Sequence, residues 1–172
     1  MKRTGINALA LGSIISLHAW AADEAQKILS KLHHSNQYEI ELGKIAREKA
    51  VSRRILDYAE ELIKDHIDSD SQIQEFAGKK QITLLEPSTA GFLNHLEAAE
   101  EQQMVVALSK KTGADFDKAF AEDMIQIHKL DKIRLENAEN ILKQEDIRNL
   151  VAVNLKTAEN HLQGARDLEG PD

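Results

Sequence analysis

From Asp23 onward, apolar residues return every three or four positions along almost the whole chain, the repeat of helices that bury one face. Leu29, Leu32, Leu42 and Ala46 form such a stripe over Asp23–Ala50, and Ile55, Ala59, Leu62, Ile73 and Ala77 form a second. The second stripe belongs to a helix with Ser52 at its N-cap, running to about Lys80 past Gly78. The stretch "QITLLEPSTAG" has no helical repeat. Ser88 or Thr89 can start a third helix, with Leu93, Leu96, Met104 and Leu108 on its stripe, ending near Lys111 before Thr112-Gly113. Asp115 is then the expected cap of a fourth helix, whose stripe is Phe120, Met124, Ile127, Leu135 and Leu142. A fifth follows from about Glu145 to Leu168, with Leu150, Val151, Ala158, Leu162, Ala165 and Leu168 on its stripe. Short turns near 51, 112–114 and 143–146 make the helices they join antiparallel neighbours, and the longer stretch 81–91 allows a crossover. The pattern predicts an all-α antiparallel bundle of four main helices plus one shorter helix.

Composition agrees with long helices: prolines number only 2, and Ala, Leu, Lys, Glu and Gln are abundant. The N-terminal "MKRTGINALALGSIISLHAWAAD" does not fit the amphipathic repeat. It has a basic start, a short apolar run and an A-x-A pattern around Trp20, which is the form of a secretory signal peptide. Residues 1–21 are therefore expected to be removed, leaving 22–172 as one domain in the periplasm. The net charge of −7 becomes more negative once Lys2 and Arg3 are lost, so neither nucleic acid nor anionic lipid is an expected partner. With no cysteine, thiol redox chemistry and thiolate metal sites are excluded. No apolar stretch suits a membrane span, so no integral membrane association is expected.

Polar residues interrupt the stripes at comparable heights. His66 follows Leu62 by one turn in "YAEELIKDHIDSD", where Ile63 and Ile67 also fall at helical spacing. His128 lies between Met124 and Leu135, and His161 between Ala158 and Ala165. Glu39 interrupts the first stripe and Glu100 the third. His128 and His161 stand ~16 residues either side of the turn near 144, while Glu39 and His66 stand ~12 and ~15 residues from the turn at Val51. Glu100 and His128 stand ~13 and ~15 residues from Gly113. Counting thus places two carboxylates and three imidazoles in one buried layer. Burying such groups is unfavourable unless each has a partner. The layer is either a mutually hydrogen-bonded register device or a metal site with ligands Glu39, His66, His128 and His161, and Glu100 as an additional candidate. Such ligands suit zinc, iron, manganese or copper. The adjacent His33 and His34 point in different directions and are expected to be solvated or partly packed, as are His95, Asp68, Glu97 and Asp131 on helix surfaces or behind the ligands. No nucleotide-binding or hydrolase motif occurs.

The segments "EIELGKIA" (39–46), "DH" (65–66), "GADFDKAFAEDMIQIH" (113–128) and "HLQGARDL" (161–168) together resemble the bacterial domain-of-unknown-function family 4142. This is a ferritin-like family often labelled predicted outer membrane protein, and the resemblance covers nearly all of 22–172. It implies an exported ferritin-like bundle in which Glu39, His66, His128 and His161 match recurring polar positions. It implies no reaction. No histidine here has a glutamate three residues earlier, so the chain departs from the Glu-x-x-His pairs of di-iron ferritin-like enzymes. The chain also lacks β-barrel alternation and a lipobox cysteine. Three functions follow: a metal-binding, stress-related periplasmic bundle; a scaffolding or interaction protein with a purely structural polar layer; or a metal-dependent redox enzyme. A non-enzyme is favoured.

Overall fold

The computed structural model describes the backbone of residues 9–86 and 92–170 and the side chains of 23–86 and 97–170. Five helices follow one another: α1 (Leu9–Lys49), α2 (Arg53–Lys80), α3 (Phe92–Ser109), α4 (Gly113–Ile141) and α5 (Glu145–Leu168). No strand occurs among the described residues. No helix among them is long and apolar enough to cross a membrane. The fold is thus the expected all-α bundle. α1 starts before Asp23, and the expected start of α3 at Ser88 or Thr89 lies outside the described residues.

Contacts close a ring in the order α1, α2, α5, α4, because α1 packs along α2, α4 packs along α5, and the two hairpins meet through α2–α5 and α1–α4. The shortest helix, α3, lies outside this ring against α1 and α4. The hairpin ends are tied together by groups the chain would otherwise leave unpaired. Ser52 sits at the N-cap of α2 but makes no side-chain cap bond. Instead, the backbone N–H groups of Val51 and Ser52 donate to the Asp117 carboxylate of α4 at 3.1 and 2.7 Å. Thr112, not Asp115, is the N-cap of α4. Gly113 follows it with φ 61°, a left-handed conformation that makes the tight α3–α4 turn cheap for glycine. At the opposite end, Lys80 pairs with Asp146 at 2.5 Å.

The core is divided. One apolar cluster, near the α1–α2 turn, contains Leu42, Leu62, Phe116, Phe120, Met124 and Leu162. A second, toward the α4–α5 turn, contains Leu29, Ile73, Leu135, Ile147, Val151 and Ala158. Each fully buried Leu or Phe contributes about 1.5–3 kcal/mol by leaving water. Ile67, though helically spaced, is 45% exposed, so the inward face of α2 runs through Leu62 and His66 to Ile73.

α1 and α2 approach closely at Gly43, where an added Cβ would lie 2.7 Å from Ile63 Cγ1 and 3.3 Å from the Ala59 carbonyl oxygen. At Gly78 an added Cβ meets nothing within 4 Å. Gly43→Ala is therefore expected to destabilise by about 1–3 kcal/mol through overpacking. Gly78→Ala is expected to stabilise by about 0.4–1 kcal/mol by restricting the unfolded chain. Urea denaturation of both variants checks this opposite pair of signs.

Candidate metal centre

Between the two apolar clusters lies the polar layer. The ring of four helices brings Glu39 from α1, His66 from α2, His128 from α4 and His161 from α5 together, all at most 7% exposed. Ring centroids of His66 and His161 are 5.1 Å apart and those of His128 and His161 are 5.2 Å apart. His66 and His128 stack nearly parallel at 6.2 Å. The carboxylate oxygen Oε2 of Glu39 lies between them, 3.1 Å from His66 Nε2 and 3.3 Å from His128 Nδ1.

The surroundings fix which nitrogen of each ring bears hydrogen. A one-way relay of hydrogen bonds starts at α5: Asn154 Nδ2 donates to the Leu150 carbonyl, and Ser69 Oγ donates to Asn154 Oδ1. Asn36 Nδ2 then donates to Ser69 Oγ at 3.1 Å, which leaves Asn36 Oδ1 to accept from His66 Nδ1 at 2.7 Å. His66 Nε2 therefore faces inward. The Tyr58 hydroxyl donates to the His161 carbonyl at 3.1 Å, so its oxygen accepts from His128 Nε2 at 3.0 Å and leaves His128 Nδ1 as a lone pair. His161 Nε2 donates to Asp65 at 3.1 Å, leaving its Nδ1 toward His66 Nε2 at 3.2 Å. Every outer nitrogen is occupied as a donor; of the inner ones, His66 Nε2 carries a hydrogen only when that ring is protonated, and it then faces His161 Nδ1 at 3.2 Å and Glu39 Oε2 at 3.1 Å. Glu39 Oε2 and His128 Nδ1 are buried without any hydrogen-bond partner. Two acceptors face each other across 3.3 Å, an arrangement that a cation between or beside them would relieve.

Asp131 completes the cluster. Its ligand oxygen, with those of Glu39 and His128, forms a set whose atoms all lie within 4.8 Å of one another. Ligands at about 2.0–2.2 Å from an ion stand roughly 3–3.5 Å apart, so the 3.1–3.3 Å contacts around Glu39 have the size of a coordination edge. The His/Glu/Asp cluster can hold a metal ion. Burial and then the Glu39 charge push the Asp131 carboxyl up to about 8, so it carries a proton at neutral pH. Burial pushes His128 down to about 4 and also lowers His161, keeping both rings neutral. For His66 burial acts downward, but the attraction of Glu39 outweighs it and raises its pKa. For Glu39 burial opposes ionisation, but His66 and then His128 outweigh it and hold the carboxyl below its usual range.

Asp131 and His128 act oppositely on stability. The folded protein keeps a proton on Asp131 between about pH 4 and 8 that the unfolded chain has lost, so this contribution declines as pH rises through that window. The unfolded chain protonates His128 below about pH 6.5 whereas the folded protein resists to about 4, so this contribution declines as pH falls. Asp131→Asn removes the first effect. The metal-free variant is expected to exceed wild-type stability by a margin that grows from pH 5 to pH 8, as denaturant melts at pH 5, 6.5 and 8 will show.

Glu100, counted into this layer, is exposed on α3. Because α3 lies outside the ring, its inward positions are Glu97, which pairs with Lys31 at 2.8 Å, and Glu101, which meets His34 Nε2 at 2.6 Å. His33 turns the other way, to Asp70 at 2.5 Å. Asp131 is not the surface or supporting group expected. Its position three residues after His128, within the Met124–His128–Asp131–Leu135 stripe, is the signal that places it inward. Asn36 and Tyr58 carry the same kind of signal, one turn before Glu39 and two turns before His66.

A family model described as "Domain of unknown function (DUF4142)" matches residues 17–168, nearly the entire chain and all four helices of the ring. The chain belongs to the DUF4142 family. No curated protein and no solved structure matches it. Within this DUF4142 chain the matched span includes Glu39, His66, His128, Asp131 and His161.

Proposed function

We propose that this DUF4142 protein is an exported helical bundle that binds a transition-metal ion in its interior, with Glu39, His128 and Asp131 as ligands and His66 and His161 beside them. The observation that carries this reading is the pair of buried acceptors without partners, Glu39 Oε2 and His128 Nδ1, held 3.3 Å apart by rings whose other nitrogens are already bound. Outer-nitrogen hydrogen bonds of this kind orient imidazole ligands and set their tautomer. Mixed nitrogen and oxygen donors suit zinc, iron, manganese or copper. Export is supported by the basic start, apolar run and A-x-A pattern at residues 1–21. N-terminal sequencing of protein from the periplasm should begin at Ala22.

The register-device reading has its own support in the relay Leu150–Asn154–Ser69–Asn36–His66, which links α5, α2 and α1 through hydrogen bonds alone. The two readings differ in their response to metal. A chelator-treated sample should melt at a higher temperature when zinc, manganese, iron or copper is added, and the rise should shrink in His66→Ala, His128→Ala and His161→Ala but persist in His33→Ala. A purely structural layer instead predicts lower stability in the first three variants, by about 1–3 kcal/mol for each group left unsatisfied, and an equal metal response in all.

A further inference from the structure

A cavity of about 520 Å3 opens to solvent beside the centre, a volume in the range of small-molecule sites. Along α1 its lining extends from Glu39 back to Lys27, about 18 Å at a rise of ~1.5 Å per residue, so the space is a slot. Its wall is hydrocarbon: Ile28 and Leu32 of α1, Leu85 beyond α2, and Leu135 and Ala138 of α4. Ile28, Leu32, Leu85 and Ala138 are only half-buried, so apolar surface in the slot still faces water. An aliphatic chain laid against it would cover that surface, with a gain proportional to the area covered.

The charges around the slot are already matched. Lys27 pairs with Asp23 at 2.6 Å, Lys31 and Arg134 share Glu97, and His34 meets Glu101 at 2.6 Å. A charged ligand would give up hydration without finding a free counter-charge at the mouth. At the floor, Glu39 is 2% exposed; its Oε2 accepts no hydrogen bond, and its Oε1 has only the Ser35 hydroxyl at 3.4 Å. A buried acceptor without a donor is costly, and a hydroxyl arriving along the slot removes that cost without bringing a charge. A carboxylate head would instead meet Glu39 as a like charge. An ammonium head would gain little, because the Glu39 carboxylate already faces His66 at 3.1 Å.

We infer that the slot binds a neutral linear amphiphile of the primary-alcohol class, its hydroxyl donating to Glu39 Oε2 and its alkyl chain lying along the α1–α4 wall. This goes beyond the metal reading and does not depend on it. An ion and a hydroxyl would address the same oxygen, so the test uses chelator-treated, full-length protein. It is titrated calorimetrically with butanol, hexanol and octanol, and then with octanoate, octylammonium and heptyl methyl ether, which matches octanol in length but has no donor. One alcohol should bind per chain, with affinity rising roughly threefold to fourfold for each methylene from butanol to octanol. Octanoate and octylammonium should bind at least tenfold more weakly than octanol, and the ether at least fivefold more weakly. Ala138→Phe should fill the slot and weaken octanol at least tenfold. If that variant loses its helical circular dichroism, the smaller Ala138→Leu should still weaken octanol at least threefold.

No binding of octanol, or an affinity that does not change with chain length, would overturn the inference. Octanoate or octylammonium binding as tightly as octanol would overturn the choice of a neutral ligand. An ether as tight as octanol would overturn the placement of the hydroxyl on Glu39. Zinc binding is scored in separate samples, so failure of the metal reading and failure of this inference are told apart.

Discussion

Glu39→Gln is expected to remove the response of this protein to metal while leaving the metal-free bundle folded. The two effects have separate causes. The substitution keeps the size of the side chain but replaces a buried carboxylate with an amide, so a charged ligand is lost to the ion. The new amide N–H also gives the unpartnered Nδ1 of His128 a donor, a gain of about 1 kcal/mol that offsets part of the lost attraction between Glu39 and His66 and keeps the metal-free bundle folded. Zinc at a hundredfold excess over its Kd should stabilise the wild type by about 2.7 kcal/mol, roughly 5–10 °C in Tm for a chain of this size. Glu39→Gln should show little or none of this. Thermal melts of both proteins with chelator and with zinc measure it directly. An undiminished zinc response in the variant removes Glu39 from the ligand set.

Leu62→Asp is expected to abolish folding. Leu62 is fully buried in the cluster with Leu42, Phe116 and Phe120, one helical turn before His66. An aspartate there leaves a charge without a partner in hydrocarbon and a void where the leucine was. Each mechanism belongs to the class of the largest single-residue effects, and together they should exceed about 4 kcal/mol. Circular dichroism should show no cooperative thermal transition. Leu62→Met keeps volume and apolarity and should cost less than about 1.5 kcal/mol. A cooperative Leu62→Asp melt within a few degrees of wild type would show that this face of α2 is not core.

The helical architecture was legible because each helix carries its own apolar repeat, and periodicity is a local property. The meeting of Glu39, His66, His128 and His161 was legible for a related reason: polar residues interrupting an apolar stripe at similar distances from tight turns reach similar heights. Height alone does not decide facing. Glu100 matched in level but belongs to α3, which packs outside the ring, so its side chain faces outward while Glu97 and Glu101 turn toward α1. Asp131 was obscured by the general expectation that a charged helix residue near Lys132 and Arg134 is solvated. Only the packed bundle shows that burial and Glu39 keep it protonated. Helix starts were legible in part: Ser52 holds the N-cap of α2 as expected, but the N-cap of α4 is Thr112 rather than Asp115, and the partner of the Ser52 backbone N–H is Asp117, 65 residues away in sequence and on another helix. The relay through Asn36, Ser69 and Asn154 joins three helices, and no spacing within one helix announces it.

The central claim, an ion beside Glu39 and His128, is tested most directly by a crystal structure of zinc-saturated protein with anomalous scattering recorded at the zinc edge. The account predicts one peak inside the bundle, about 2.0–2.1 Å from His128 Nδ1 and about 2.0–2.2 Å from Glu39 Oε2, with Tyr58 still accepting from His128 Nε2. A bundle interior without anomalous density at saturating zinc, and with a hydrogen bond closing the His128–Glu39 gap, would contradict it.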